Sequence, residues 1–414
     1  MTLTRICAAL GFVVSISLAG PAAAVNKSKA EQQFRQWQSN VLWPKAKKAG
    51  VSRRTFQAAL KGVKLDWSMP EIVPPGTRKS PPKKQYQSEF RQPGAYFNQR
   101  SLNILAQRGG AQIKRFAKTL TRIEKKYGVP KEIIVAIWGR ESGFGRVKMP
   151  KNAVAALATS AFMGWRKELF ERELIAALKI IDKGHISAKA MGSSWAGALG
   201  QPQFLPSKFG TYAVDFDGDG KRNIWTSAPD TLASIANYLA RHGWQSGRDW
   251  GFEARIPASL SCSFGGPDQD RTIGAWNKKG AKRISGRAFP ANEMRGKGYL
   301  LFPAGRFGPT FVTTPNFYVL KAYNESDLYA LFVGHLADRM RGGGAFKTKW
   351  QKLPTFSRAA VKSMQDRLIA QGYDVGGADG LVGYKTRTAI GMWQEKQGQK
   401  ATCFPSRALV KRLR

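Results

Sequence analysis

Apolar residues recur with helical spacing along most of the chain. Phe34, Trp37, Val41 and Leu42 share one face of a segment spanning 27–62, and the same period returns over 101–181, 229–242 and 325–341. Between these segments the pattern breaks. A proline-rich stretch, 69–82, lies among Trp67, Ile72 and Val73, which are too apolar for a free linker and predict an ordered strap over a core. Gly, Asp and aromatic residues interrupt 191–226. Short apolar runs alternating with Gly and Pro over 248–320 predict a few strands or an irregular insert. Gly342-Gly343-Gly344 stops the last long helix and opens an expected linker over 345–356, after which 357–414 reads as a separate unit of short helices. The expected fold is mainly α with a minor β component, a large unit over 25–344 followed by a small one.

The first residues change the picture of where this chain works. Arg5, the apolar run from Ile6 to Leu18, and small residues at Ala22 and Ala24 form the pattern of an export signal over 1–24. The run is short for a membrane span and no later stretch is longer, so the expectation is a protein without a transmembrane segment after signal removal, in the periplasm. Cys262 and Cys403 could pair in that oxidising compartment or stay free. The 67 Lys plus Arg against 27 Asp plus Glu leave a formal charge of +40, a surface that seeks a polyanion. Behind an export signal that polyanion is not nucleic acid; carboxylates of the cell wall and lipid phosphates remain.

The most informative stretch for chemistry is 127–146, Tyr-Gly-Val-Pro-Lys-Glu-Ile-Ile-Val-Ala-Ile-Trp-Gly-Arg-Glu-Ser-Gly-Phe-Gly-Arg. Pro130 suits the first turn of a helix, and Ile134, Ile137 and Trp138 line one face with Glu141 beyond them. Gly143 and Gly145 end the helix. A carboxylate at the end of an apolar stripe, near a helix C-terminus, is desolvated and faces an unfavourable dipole. Both effects raise its pKa, as a general acid near neutral pH requires. No Asp or Glu falls between Ser142 and Lys167, so no near neighbour in sequence supplies the second carboxylate of an ordinary glycosidase.

This run resembles the catalytic segment of the lytic murein transglycosylase B family. The likeness continues through Gly192-Ser-Ser-Trp-Ala-Gly-Ala-Leu-Gly-Gln-Pro-Gln-Phe-Leu-Pro-Ser207, Tyr212-Ala-Val-Asp-Phe-Asp-Gly-Asp-Gly220, Ala236-Asn-Tyr-Leu-Ala-Arg-His-Gly-Trp244 and Pro315-Asn-Phe-Tyr318, with Tyr323, Asn324, Ser326 and Tyr329 after them. It spans about residues 30–342. The resemblance implies a lysozyme-like domain that cuts peptidoglycan glycan strands with Glu141 as sole acid/base. It also implies roles for Ser194, Gln203 and Phe204 around the sugars, although one inserted residue leaves Ser193 or Ser194 open. Phe204 and Tyr323 are equally readable as core. Asn324 and Tyr329, with Tyr323 beside them, would orient the reacting sugar, Tyr96 would line the cleft, and Arg166 and Lys167 would meet stem-peptide carboxylates. No cofactor is required by this chemistry. The alternatives are a lysozyme-type hydrolase with a distant second carboxylate, and a non-catalytic wall-binding protein.

Two further segments bear on ligands. Asp215-Phe-Asp217-Gly-Asp219-Gly220-Lys221 fits the first half of an EF-hand calcium loop, but position twelve is Thr226 where a bidentate Glu is needed. A structural calcium held by Asp215, Asp217, Asp219 and Lys221 and a metal-free turn are both open readings; the resemblance implies the calcium. In the tail, Met364-Gln-x-x-Leu368-x-x-x-Gly372-Tyr373 and Asp379-Gly380-x-x-Gly383-x-x-Thr386-x-x-Ala389-x-x-x-Trp393-Gln394 resemble the peptidoglycan-binding type 1 module, expected as three helices. Ala401-Thr402-Cys403 departs from its pattern. The expected partners are peptidoglycan and other cell-wall enzymes, with the module acting as a tether.

Overall fold

The computed structural model describes residues 26–77 and 92–413. The expected export signal and the later part of the proline-rich strap lie outside the described residues.

Three short helices come first among the described residues, α1 (Lys27–Trp37), α2 (Trp43–Lys48) and α3 (Arg53–Leu60). Asn26 and Ser52 cap α1 and α3 by accepting from the amides of Lys29 and Thr55. Phe34 and Leu42 are fully buried as the spacing predicts, but Val41 turns outward. The reason is a π-helical turn over Gln38–Leu42, whose wider winding shifts the face by part of a turn. The strap is ordered where it is described. The Val73 amide donates to the Met163 carbonyl (2.5 Å), and the Trp165 amide donates to that of Glu71 (2.9 Å).

The centre of the molecule follows, with α4 (Gln99–Arg115), α5 (Ala117–Tyr127) and α6 (Lys131–Ser142). Pro130 stands just outside α6 as its N-cap, and Gly143 ends the helix in the left-handed region (φ 57°). The expected one-sided apolar stripe is an understatement. Every residue from Ile133 to Gly139 is buried, because other helices enclose α6 on several sides. The antiparallel ladder of β1 (Lys151–Asn152) and β2 (Gly192–Ser193) brackets the pair α7 (Ala153–Met163) and α8 (Lys167–Asp182). Then come α9 (Pro206–Tyr212) and α10 (Ala228–Arg241), the latter packed on α5 and α6.

The irregular region contains real strands. β3 (Gly251–Arg255), β4 (Lys282–Arg283), β5 (Tyr299–Leu301) and β7 (Phe311–Thr313) form an antiparallel sheet in the order β4-β3-β7-β5. The short β6 (Pro303–Arg306) and helices α11 (Ile273–Lys278) and α12 (Ala291–Met294) fill the connections. Val312 pairs with both Phe252 and Leu300, and these three join Trp276 in a core of their own. The chain then returns to the main core through α13 (Pro315–Asn324) and α14 (Asp327–Met340), which packs along α6.

The expected free linker is instead part of the packed structure. Phe346 stacks on His335 (3.9 Å between ring centres), and Trp350 stacks on Phe97 (5.2 Å). The amides of Lys347 and Thr348 donate to the Glu253 carboxylate, and Leu353 is buried. Aromatic rings that can leave water against an existing core do not stay in a tether. Beyond them, α15 (Arg358–Ala370), α16 (Tyr384–Lys396) and α17 (Arg407–Arg412) form the small module around Met364, Leu368, Ile390 and Trp393. A disulfide between Cys262 and Cys403 fastens it to the sheet region, and the Arg306 amide donates to the Thr402 carbonyl beside it (2.9 Å).

Candidate active site

Glu141 occupies the last turn of α6, a helix buried along most of its length. The residue as a whole is half-buried, and its carboxyl group is enclosed by enough protein to be strongly desolvated. Burial raises its pKa to about 7, against the opposing pull of the Tyr329 hydrogen bond and the Arg140 charge. The Tyr329 hydroxyl, on α14, donates to Oε1 at 2.5 Å. Burial first, and then the nearby Glu141 charge, push the Tyr329 and Tyr323 hydroxyls well above their usual range, so both remain donors. Among the described residues, no carboxylate is one of the groups that act on Glu141. A protonated acid at neutral pH, held by a phenol that cannot itself ionise, can give a proton and later accept one.

Local packing explains the residues around it. A Cβ at Gly139 would stand 2.6 Å from the Phe144 ring, which folds back under the helix. Gly145 has φ 75°, and a Cβ there would meet the Gln201 amide at 2.6 Å. Gln201 is the hinge of this corner: its Oε1 accepts from Trp138 Nε1 (2.7 Å) and its Nε2 donates to the Trp225 carbonyl (2.9 Å). The turn that follows places Gln203 in the left-handed region (φ 54°), half-buried, with Nε2 donating to the Gly200 carbonyl (2.8 Å). Tyr323 locks this turn to α13, donating to the Pro202 carbonyl (2.8 Å) while its ring stacks parallel to Tyr329. On the other flank Arg140 donates to the Tyr96 hydroxyl (2.7 Å) and lies over its ring. Glu141, Tyr329, Tyr323, Tyr96 and the Gln203 turn are thereby brought together.

Other expected site residues fall elsewhere. Phe204 is buried against Tyr212, Tyr238 and Tyr323 and is core, since the ring finds more apolar surface inward than a cleft offers. Ser193 is fully buried, and Ser194 is half-buried with its hydroxyl accepting from the Ala198 amide (3.2 Å), which leaves Ser194 as the accessible one. Asn324 is exposed at the end of α13, lining a groove of about 460 Å³ together with residues of the small module, Val375 to Thr386. Arg166 and Lys167 stand exposed at the start of α8, with Arg166 near Glu71 (3.8 Å).

The acidic loop differs from the expected ligand set. Asp215 and Asp217 converge with Asp230, their carboxylate oxygens within 4.8 Å of one another. Asp219 turns to its own loop instead, accepting from the amide (2.8 Å) of Lys221, whose expected contribution at position seven is its backbone carbonyl. Asp230 lies in the first turn of α10, capped by Ser227, and is completely buried. Its carboxylate oxygens accept from the loop amides of Phe216 (2.8 Å) and Asn223 (2.7 Å). Gln201, Arg140 and Asp230 were not singled out by sequence reasoning. The signal for Asp230 was a carboxylate just inside a helix start beyond a Ser-Ala-Pro sequence.

Taken together, fold and site define a lysozyme-like, mainly helical domain built around an acid, Glu141, that has no acidic partner among the described residues, with a helical module attached. Residues 33–338 match the transglycosylase SLT domain and residues 357–413 the putative peptidoglycan binding domain, and the chain belongs to the transglycosylase SLT domain family. It is similar to SltB3 from Pseudomonas aeruginosa, solved with NAG-NAM-pentapeptide (38% identity, TM-score 0.82) and with NAG-anhNAM-pentapeptide (37%, 0.79), each match covering 92% of this chain and 99% of that one. The Escherichia coli transglycosylase Slt35 in complex with calcium is 28% identical with a TM-score of 0.55, covering 78% of this chain and 95% of that one. Membrane-bound lytic murein transglycosylase B of Escherichia coli K12 is 34% identical over 223 residues, 54% of this chain; the match spans 60% of that relative's length.

Proposed function

We propose that this protein is a lytic transglycosylase of peptidoglycan, with Glu141 as its sole acid/base. The observation that carries the reading is the Glu141 carboxyl, raised to a pKa of about 7, held by Tyr329 and acted on by no second acid among the described residues. Protonated Glu141 donates to the glycosidic oxygen between N-acetylmuramic acid and N-acetylglucosamine, while the substrate's acetamide stabilises the developing oxocarbenium ion. The ionised carboxylate then takes the proton of the C6 hydroxyl of the same muramic residue. That oxygen attacks C1 and closes a 1,6-anhydro ring, so no water is consumed. Tyr329 steadies the carboxylate between the two halves, and the Gln203 turn, Tyr96 and Tyr323 shape the sugar sites. The NAG-NAM and NAG-anhNAM peptides bound to SltB3 have the chemistry of this substrate and product.

The module's family match supports wall binding, and the substrate implies action outside the cytoplasm, in the periplasm. Among the described residues no helix is long and apolar enough to cross a membrane. Calcium fits the cluster of Asp215, Asp217 and Asp230, since hard carboxylate oxygens on a loop and a helix start are its usual donors, and a solved relative is described as a calcium complex. When bound it neutralises these carboxylates and ties the loop to α10; no step of the reaction runs through it.

The test is Glu141→Gln with product analysis. Gln keeps shape and can hydrogen-bond to Tyr329 but can neither give nor take the proton, so cleavage should fall by about four decades or more. Wild-type digests of purified peptidoglycan should contain 1,6-anhydro ends, each lighter by one water than a hydrolysis product. Reducing ends would replace this mechanism with hydrolysis, and near-normal rates in Glu141→Gln would remove the site altogether.

A further inference from the structure

The small module reaches the acid through one buried ion pair. Arg387, on α16, is only 7% exposed. Its Nη1 donates to the Val382 carbonyl inside the module (3.1 Å), and its Nη2 donates to Asp327 Oδ2 across the boundary (2.6 Å). Asp327 opens α14, and its other oxygen meets Lys321 Nζ of α13 (2.8 Å). Burial works against the ionised carboxylate, but the charges of Arg387 and Lys321 together hold it below its usual range. In the same turn of helix, Ser326 caps the Tyr329 amide (3.2 Å), and the Tyr329 hydroxyl holds Glu141. The α13 side of this corner is held by Tyr323 and by Tyr238, which donates to the Ala322 carbonyl (2.7 Å), whereas Asn324 and Glu325 at its apex are exposed, with Glu325 in the left-handed region (φ 50°).

Attachment does not need this pair. The Cys262–Cys403 disulfide and the Arg306–Thr402 main-chain bond already dock the module. A buried ion pair is also poor value as general stabilisation, because desolvation offsets most of its Coulomb gain. What it supplies is direction, a fixed position for the first turn of α14.

We propose that Arg387 is a positioning residue for Glu141: by clamping Asp327 it fixes the turn that carries Tyr329, and so makes the wall-binding module a working part of the active site. This rests on the reading of Glu141 as the acid/base. The module is accordingly more than a tether, and Arg387 affects turnover on substrates too small to engage a wall-binding surface.

The experiment measures kcat and KM on soluble disaccharide-peptide oligomers for the full, disulfide-intact chain. The variants are Arg387→Met, Arg387→Lys, Asp327→Asn, Tyr329→Phe and Arg387→Met with Tyr329→Phe, with Glu141→Gln as reference. Displacing a reacting group by about an ångström costs on the order of a hundredfold, so Arg387→Met should lower kcat by about tenfold to a hundredfold with KM nearly unchanged. Arg387→Lys should restore most of the loss, because the contact to Asp327 uses one nitrogen and a point charge can replace it. In the Tyr329→Phe background Arg387→Met should cost nothing further, since both act through the same hydroxyl. Unchanged kcat in Arg387→Met, or the same fold-loss in both backgrounds, overturns the proposal. Should Arg387→Met not fold, Asp327→Asn carries the same expectations. An active Glu141→Gln sinks the reading of the site itself, whereas an inactive Glu141→Gln with additive Arg387 losses sinks only the positioning role.

Discussion

Glu141→Gln should make the protein more stable than wild type at alkaline pH, although the variant is expected to be inactive. In the unfolded chain this carboxyl titrates at its ordinary 4.5, and in the fold at about 7. The folded state therefore holds the proton more tightly. The stability this contributes is fully present below pH 4.5 and is lost as pH rises through 7, opposite to a salt-bridged carboxylate. The difference is about 2.5 units, and at 1.36 kcal/mol per unit the ionised side chain costs the fold roughly 3 kcal/mol by pH 8–9. Gln carries no charge at any pH and escapes that cost, while its amide oxygen can still accept from Tyr329. With an unfolding entropy of about 2 cal/mol/K per residue, 3 kcal/mol corresponds to a Tm difference of about 4 °C for a chain of this length. The assay is thermal unfolding of both proteins from pH 4 to 9, read as variant minus wild type so that all other titrations cancel. The difference should be near zero or negative at pH 4 and climb through pH 5–8. A flat difference would refute the raised pKa, and with it the physical basis for Glu141 as an acid at neutral pH.

Other expectations follow from the same geometry. Calcium should raise the Tm of metal-stripped protein, and Asp230→Asn should abolish that rise while Asp219→Asn leaves most of it; equal effects of both would restore the loop-only ligand set. Removing the Cys262–Cys403 bond by Cys403→Ser frees a loop of 141 residues, worth about 5 kcal/mol in the chain-entropy model, and should lower Tm in non-reducing conditions only. Gly145→Ala introduces a side chain at φ 75° against Gln201, so activity should fall with loss of stability, measured by unfolding and turnover together. Truncation after Gly344 should expose the Phe97 surface that Trp350 covers and lower both Tm and turnover on soluble substrates; wild-type turnover in the truncated chain would reinstate a free tether.

What the sequence by itself determined are the features written locally. The helix that carries Glu141 follows from its apolar run and its Gly143 stop, and the absence of a neighbouring acid was visible in the same stretch. The order of helices, the separate compactness of the tail and the turn chemistry of the acidic loop were equally legible, because capping, periodicity and Gly placement act over a few residues. The resemblance added Tyr329, which no local pattern marks as a partner of Glu141. Tertiary structure decided the rest. Tyr329 stands 188 positions from Glu141 in sequence, and only the packing of α14 along α6 brings its hydroxyl to the carboxylate. Packing on several sides turned a one-faced α6 into a fully enclosed helix and raised the pKa of its acid, since desolvation depends on every neighbour and not on the helix alone. It sent Phe204 into the core, Asn324 toward the module, and Asp230 to the metal-like cluster. It also converted a glycine-led linker into a packed strap: Phe346 and Trp350 were readable as apolar, but the Phe97 and His335 surfaces they cover exist only once distant helices have assembled. Burial is a property of the whole fold, and what a side chain can do depends on it.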